Sequence, residues 1–319
     1  MEQTAPAVVN HLDPQTLAAL GSLELRARMA VEGLMIGMHR SPFQGFSTEF
    51  AQHRPYTAGD DLRHLDWKVF GRTDKLYLKQ YQKETNLRLI ILVDVSGSMG
   101  YGSQTVLNWR KYDMAAVLAA AMAYLAIHQQ DRVRLALFDS KLIAETGLSN
   151  AHDHWRSIIS LLESAPSFDP PPEPGEPRAT DLARLFDQVT ARLTHRSLVV
   201  LISDLFDDAE AIERGIARLY HRRHDLIVLQ TLDHAELHFP FRSPSQFVGM
   251  EDEGRLNLDP MALRQVYLQS IESHLPRVEQ ITRRFHFDYL RLDTSKTIGA
   301  PLSHFLAHRA ALISKSKQR

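Results

Sequence analysis

Short apolar runs alternate with longer helical patterns from about Leu87 onward, which is the arrangement typical of parallel βαβ units. The first run is bounded by Arg88 and Asp94, as expected of a strand that helices cover on both faces. Residues 285–292 predict a further strand, whose interspersed charges place it at a sheet edge, and residues 141–146 predict an antiparallel edge strand. Central strands are predicted at residues 89–93, 134–138, 198–202 and 226–229.

Helices are predicted between these strands, because apolar residues there recur with the spacing of one helix face. Pro260 suits a first helical turn, and Asp259 before it can accept backbone N–H bonds as an N-cap. Strands that alternate with helices in this way predict an α/β fold on a doubly wound, mostly parallel sheet of about six strands. The predicted helices span residues 105–128, 152–163, 182–193, 209–222, 260–284 and 300–313.

The N-terminal part of the chain lacks this alternation. A helix is predicted at residues 14–33, followed by a Gly- and Arg-rich stretch without periodicity. We therefore divide the chain into an N-terminal extension, residues 1–85, and an α/β domain, residues 86–319. The extension has little apolar surface of its own to bury, so it must pack against the domain. The proline-rich residues 169–177 predict an extended surface loop.

Composition limits the partners and the location. Lys and Arg total 37 against 38 Asp and Glu, so the chain lacks the positive charge that nucleic acid or an anionic membrane would attract. The chain has no Cys, which excludes disulfides, thiolate metal sites and a cysteine nucleophile. No secretory signal is visible, and the longest apolar stretch, residues 115–127, is shorter than the ~20 residues of a membrane span. We expect a cytoplasmic protein without a membrane span.

Oxygen-bearing side chains follow the first central strand. In an open α/β sheet, ligands bind at the carboxyl ends of strands where the strand order reverses, so a site is expected there. Asp94, Ser96 and Ser98 alternate along the chain, and Gly97 permits the tight turn that lets their side chains converge. Oxygen ligands without His or Cys select a hard cation, with Mg²⁺ as the first expectation and Mn²⁺ or Ca²⁺ as alternatives.

Further ligands are needed, because a divalent cation binds about six oxygens. Thr180 precedes a predicted helix and offers a hydroxyl. Asp204 follows a predicted strand and so lies at the matching carboxyl end of the sheet. The predicted metal ligands are therefore Asp94, Ser96, Ser98, Thr180 and Asp204.

This set of residues resembles the metal-ion-dependent adhesion site of von Willebrand factor type A domains, with the expected residue type at all five positions. Upstream, residues 54–67 read RPYTAGDDLRHLDW, which looks like the signature of the bacterial domain of unknown function 58 family. Leu65 and Gly71 depart from the usual Ile and Ala. Members of that family carry a von Willebrand factor type A domain, so the resemblance implies this fold for the α/β domain.

The resemblance further implies a Mg²⁺-dependent protein-interaction module and not an enzyme. Family members are often encoded beside an AAA+ ATPase of the MoxR type, which makes such an ATPase the expected partner in assembly or remodelling of a client protein. Three hydroxyls and only two carboxylates leave a bound cation incompletely neutralised. An Asp or Glu of the partner can then supply a further oxygen anion.

Other readings of these residues stay open at this point. A metal can serve only to stabilise a scaffold, or Asp and Ser can form a simple turn that caps the next helix. Ser98 is similar to the nucleophile of a hydrolase elbow and Asp94 to an aspartyl-phosphate nucleophile, although no triad His or second Asp is identifiable. His234 and His238 have the spacing of zinc ligands on a helix, without a third ligand. Residues 54–67 are either structural or a charged docking surface.

Overall fold

A six-stranded, mostly parallel sheet is the central feature of the protein. The computed structural model describes residues 17, 21–39, 53–55, 67–73, 75–79, 87–103, 109–165, 182–250 and 254–317. The helices are α1 Leu23–His39, α2 Trp67–Thr73, α3 Lys111–His128, α4 His154–Glu163, α5 Leu182–Arg192, α6 Ala209–His221, α7 His234–His238, α8 Pro260–Arg284 and α9 Gly299–Lys317, with a 3-10 turn at Gly97–Gly100. The strands are β1 His53–Pro55, β2 Tyr77–Lys79, β3 Arg88–Asp94, β4 Arg132–Phe138, β5 Leu142–Glu145, β6 Leu198–Ser203, β7 Asp225–Leu232, β8 Ser245–Val248, β9 Arg255–Leu258 and β10 Asp288–Asp293.

The order of the strands confirms the predicted doubly wound α/β fold. The sheet runs β10-β7-β6-β3-β4-β5, with every neighbouring pair parallel except β4 and the edge strand β5. The chain leaves β3 toward β4 on one side and later returns to place β6 on the other side. The carboxyl ends of β3 and β6 therefore flank the point where the strand order reverses, which is where open α/β sheets bind ligands.

Alternation along each buried strand builds two hydrophobic cores, one on each face of the sheet. In β3, Leu89, Ile91 and Val93 enter the core that contains α3, while Ile90 and Leu92 enter the core that contains α5 and α6. Successive side chains of a strand point to opposite faces, so an uninterrupted apolar run serves both cores at once. Such a strand is held firmly on both sides, which fixes the position of the residue at its end.

Most residues of α3 are apolar and buried, because the sheet covers one side of the helix and other helices cover the opposite side. Ala27 and Ala30 of α1, Trp155 of α4 and Phe305 of α9 belong to the same core as α3. The expected packing of the N-terminal helix against the α/β domain is thus observed. The domain boundary near residue 85 stays a prediction.

The structure corrects the bounds of two predicted helices. Helix α3 begins at Lys111 and not at residue 105, because Arg110 is extended and the Lys111 N–H donates to the Tyr101 carbonyl at 2.9 Å. Leu17 is helical as predicted, but a bend at Gly21 interrupts the predicted N-terminal helix, and α1 runs from Leu23 to His39, beyond the predicted end at residue 33. The other predicted helices agree with the structure to within a few residues.

The predicted edge strands are confirmed with small shifts. Strand β10 begins at Asp288 and not at Phe285, because Phe285 caps α8 and His286 adopts a positive φ of 58° that an extended strand cannot continue. Strand β5 pairs antiparallel with β4, as predicted. The proline-rich residues 169–177 and most of residues 54–67 lie outside the described part of the chain. Among the helices that the structure describes, none has the length and apolar character that crossing a bilayer demands.

The loop between the 3-10 turn and α3 depends on a close backbone approach at Gly102. A Cβ atom built there would lie 2.6 Å from the Trp109 carbonyl oxygen and 2.9 Å from the Arg110 Cα. These are backbone atoms and cannot turn aside as a flexible side chain would. Only glycine therefore lets the loop lie against the start of α3.

We expect Gly102→Ala to lower the free energy of unfolding by about 1–3 kcal/mol, because the added methyl group forces the loop away from α3. Urea unfolding would measure this change. Gly147→Ala is the matched control, since nothing lies within 4 Å of a Cβ at that position. Equal stabilities of the two variants would contradict the packing argument.

Candidate metal centre

The candidate site lies at the carboxyl ends of β3 and β6, where the strand order reverses. Asp94 is the last residue of β3, and Asp204 directly follows β6. The two strands are paired in register, with Val93 opposite Ile202. This register brings Ser203 beside Asp94, and the Ser203 hydroxyl donates to Asp94 Oδ2 at 2.5 Å. The sheet thus holds the two predicted carboxylates at neighbouring strand ends.

The turn after β3 brings Asp94, Ser96 and Ser98 together, as the sequence predicted. The Ser96 N–H donates to Asp94 Oδ1 at 2.8 Å, and the Ser96 and Ser98 hydroxyl oxygens lie 3.1 Å apart. Met99 is fully buried and anchors the turn in the hydrophobic core. Two hydroxyls and one carboxylate therefore share one small region at the end of the strand. Thr180, the remaining predicted ligand, lies outside the described residues.

Asp94 is a buried carboxylate whose described partners are neutral donors. Its exposed fraction is 2%, and burial raises its pKa to about 7. The nearby charge of Asp204 also raises the pKa, whereas the hydrogen bonds from Ser203 and Ser96 lower it only in part. Within the described residues, no Lys or Arg forms an ion pair with Asp94. Among the described residues, an ionised Asp94 therefore has no positive charge at ion-pair distance to compensate it.

Asp204 differs from Asp94 because it has a cationic partner. The Lys111 ammonium lies 2.8 Å from Asp204 Oδ2 and 2.6 Å from Glu236 Oε1. We call this arrangement, formed by Lys111, Asp204 and Glu236, the Lys111 bridge. The backbone of Asp204 is also held, because the side-chain amide of the buried Gln230 donates to its carbonyl at 2.7 Å.

The charge of Lys111 is stable within the bridge. Burial by itself lowers the pKa of Lys111, but the charges and hydrogen bonds of Asp204 and Glu236 outweigh burial and raise the pKa. Burial also raises the pKa of Glu236, and the contact with Lys111 offsets part of that effect. At neutral pH the bridge therefore contains a permanent ammonium group.

The bridge continues into a hydrogen-bonded group at the ends of β7 and β10. Glu236 Oε2 accepts from the Asp233 N–H at 2.7 Å. Asp233 Oδ2 in turn accepts from the Ser103 N–H and the Thr294 hydroxyl, each at 3.0 Å. This group links the loop after β3 to the far side of the sheet. The carboxyl edge of the sheet is thus polar and buried over four neighbouring strands.

Sequence reasoning missed Lys111 and Glu236. Lys111 falls within the residues predicted as helix 105–128, and Glu236 lies between His234 and His238, which were weighed only as zinc ligands. The signal became visible only in the structure: because α3 begins at Lys111 and not at residue 105, this lysine lies in the first turn, where the helix dipole favours negative charge. Such a lysine needs carboxylate partners elsewhere in the fold.

The residues at this edge fit a hard cation. Their candidate donor atoms are carboxyl and hydroxyl oxygens, and Asp94 is a buried carboxyl group without an ion pair among the described residues. His234 and His238 stack on each other, and the described residues contain no group of three or more His, Cys, Asp or Glu side chains placed to hold a metal. The candidate centre therefore depends on the serine hydroxyls as well as the carboxylates.

The pKa of Asp94 predicts a pH dependence of stability in metal-free protein. The value of about 7 in the folded chain lies above the ordinary value of 3.8, so the folded state holds a proton that the unfolded state releases. The contribution of Asp94 to the free energy of unfolding is fully present below pH 3.8 and is lost as the pH rises through about 7. The loss amounts to about 4 kcal/mol or less.

We expect Asp94→Asn, which stays neutral, to gain stability relative to the wild type between pH 5 and pH 8. Urea unfolding in the presence of chelator would measure the difference at both pH values. Asp131 and Glu236 titrate in both proteins and cancel in this comparison. Asp153→Asn, at an exposed position, is the control, and its free energy of unfolding should change with pH as that of the wild type does. If the free energy of unfolding of Asp94→Asn also changes with pH as in the wild type, the prediction is wrong.

Proteins of similar sequence occur in mycobacteria. Uncharacterised proteins of Mycobacterium tuberculosis and Mycobacterium bovis are each 27% identical to this chain over 326 aligned positions. The alignments cover 97% of this chain and 96% of the mycobacterial proteins. The similarity therefore extends over both the N-terminal extension and the α/β domain.

Solved structures resemble the chain in part. The conserved hypothetical protein BatB from Bacteroides thetaiotaomicron is 16% identical with a TM-score of 0.46, covering 70% of this chain and 99% of that protein. An aerotolerance-related membrane protein from Bacteroides fragilis is 14% identical with a TM-score of 0.43, again covering 70% and 99%. A von Willebrand factor type A protein from Catenulispora acidiphila is 12% identical with a TM-score of 0.30, covering 45% and 33%.

The chain also matches a protein family. The family described as "Protein of unknown function DUF58" matches residues 52–276. This range includes the segment 54–67 that carried the resemblance, and also Asp94, Lys111 and Asp204. The match spans more than half of the chain, and the chain therefore belongs to the DUF58 family.

Proposed function

We propose that the protein is a Mg²⁺-dependent protein-interaction module whose metal is held by Asp94, Ser96, Ser98, Thr180 and Asp204. The observation that carries the proposal is Asp94, a buried carboxylate without an ion pair among the described residues, next to two hydroxyls at the switch point of the sheet. A bound divalent cation would supply the positive charge that this carboxylate lacks. Mn²⁺ and Ca²⁺ are alternatives with the same preference for oxygen ligands.

The chain's own residues have distinct tasks in this function. Asp94 provides the anion, and its hydrogen bonds from Ser203 and the Ser96 N–H hold the carboxylate in one orientation. Ser96 and Ser98 offer neutral oxygens. Asp204 keeps one oxygen on Lys111, so it would help to hold a cation with its other oxygen. A ligand set rich in hydroxyls leaves positive charge for a carboxylate of the partner.

The surface beside the site suits a protein partner. Phe206 lies two residues after Asp204 and has an apolar aromatic ring, yet the residue is 42% exposed to solvent. Exposed aromatic side chains are enriched among residues that anchor protein interfaces. A partner that presents an Asp or Glu to the cation and an apolar group to Phe206 would use both features. We propose a MoxR-type AAA+ ATPase as this partner, with no enzymatic activity of the chain itself.

We expect binding of a MoxR-type ATPase to require Mg²⁺ and to be lost in Ser98→Ala. Removal of one hydroxyl ligand should weaken Mg²⁺ binding about tenfold or more, since ligand number controls affinity in oxygen sites. Calorimetric titration would measure the metal affinity, and a pull-down with and without chelator would measure partner binding. Ser273→Ala, on the exposed side of α8, is the matched control.

The same measurements distinguish the proposed function from a structural metal site and from a hydrolase. A functional site predicts that Ser98→Ala melts within about 2 °C of the wild type while partner binding disappears. A large fall in melting temperature on chelation, with partner binding unchanged, would favour a metal that only stabilises a scaffold. Esterase or phosphatase turnover that depends on Ser98 or Asp94 would favour a hydrolase.

A further inference from the structure

Lys111 occupies a position that helix formation alone does not explain. It is the first residue of α3, where the helix dipole disfavours a cation, and its side chain has no solvent exposure. Taking an ammonium out of water is costly unless it is paired and hydrogen-bonded. The position of Lys111 is therefore determined by what it contacts at the carboxyl edge of the sheet.

The contacts of Lys111 join three separate segments. Its ammonium meets Asp204 after β6 and Glu236 in α7, and its backbone N–H donates to the Tyr101 carbonyl in the loop after β3. The ammonium also lies 5.2 Å from the centre of the Phe206 ring, within the range of a cation–π contact. A lysine has three N–H donors, and carboxylates take two of them here. Lys111 is thus a built counterion and not a solvated surface charge.

The two carboxylates of the candidate site are consequently unequal. Asp204 already has a cation, whereas Asp94 has only neutral donors among its described partners. A divalent cation that approaches Asp94 and Asp204 would meet the Lys111 ammonium on the Asp204 side. Like charges in a buried, weakly screened region repel each other strongly.

We propose that Lys111 is an internal counterion that keeps the site folded without a metal and lowers its affinity for divalent cations. This inference rests on the proposed metal site and deepens it, because it states what sets the strength of metal binding. The protein then folds without a metal, and metal binding stays reversible. Reversible binding is what a metal-dependent interaction with a partner requires.

The test compares Lys111→Met with the wild type, because Met has a similar length and no charge. We expect the variant to bind Mg²⁺ and Mn²⁺ about tenfold more tightly or better, since the repulsion is gone. We also expect its melting temperature to fall in chelator and to recover with Mg²⁺, whereas the wild type changes little. Calorimetric titration and thermal melting provide the two readouts. Lys141→Met, at an exposed lysine, is the matched control and should behave as the wild type.

A double variant keeps the test decisive if Lys111→Met does not fold. Lys111→Met combined with Glu236→Gln removes one buried carboxylate together with the ammonium, so only Asp204 is left without its counterion. We expect this double variant to fold in chelator and to retain the tighter Mg²⁺ binding. Lys111→Arg retains the charge and should bind Mg²⁺ more nearly as the wild type does.

The outcomes separate this inference from the proposed function. If the wild type binds Mg²⁺ and neither Met variant binds it more tightly, the inference about Lys111 is wrong while the metal site stands. If no variant and no wild-type protein binds a divalent cation, both proposals are wrong. If the Met variants bind Mg²⁺ and the wild type binds it weakly, the inference is supported.

Discussion

The ion pair between Lys111 and Asp204 is the interaction on which the carboxyl edge of this sheet depends. Parallel strands end at the same edge, so the polar residues that follow β3, β6, β7 and β10 are brought into one buried region. Carboxylates gathered in this way repel each other and lose hydration. The Lys111 bridge offsets that cost for Asp204 and Glu236, while Asp94 remains without an ion pair in the described structure.

The two hydrophobic cores make this edge rigid. Strand β3 is buried on both faces, and Met99 anchors the turn that follows it. The carboxylate of Asp94 is therefore held in place by packing and by hydrogen bonds that require no metal. A site organised before its ligand arrives binds without a large ordering cost. Under the proposed function, this organisation suits a metal used for recognition better than a metal used to complete the fold.

Local pattern was sufficient to predict that the side chains in the first loop of the candidate site converge. The alternation of Asp94, Ser96 and Ser98 after an apolar run predicted that their side chains converge, and the structure places them together. Asp204 was found because a residue after a parallel strand must lie at the same edge. Lys111 and Glu236 were not found, because each lies in a helical segment whose local pattern contains no sign of a distant partner.

The α/β class, the buried strands, the edge strands and most helix bounds could be predicted from the sequence, because they follow from hydrophobic periodicity over a few residues. The order of the strands and the charges that meet at their ends emerged only from the folded chain. Lys111 is 93 residues from Asp204 and 125 residues from Glu236 along the chain. Ion pairs between residues so far apart in the sequence depend on how the whole sheet assembles, so a short sequence pattern cannot predict them.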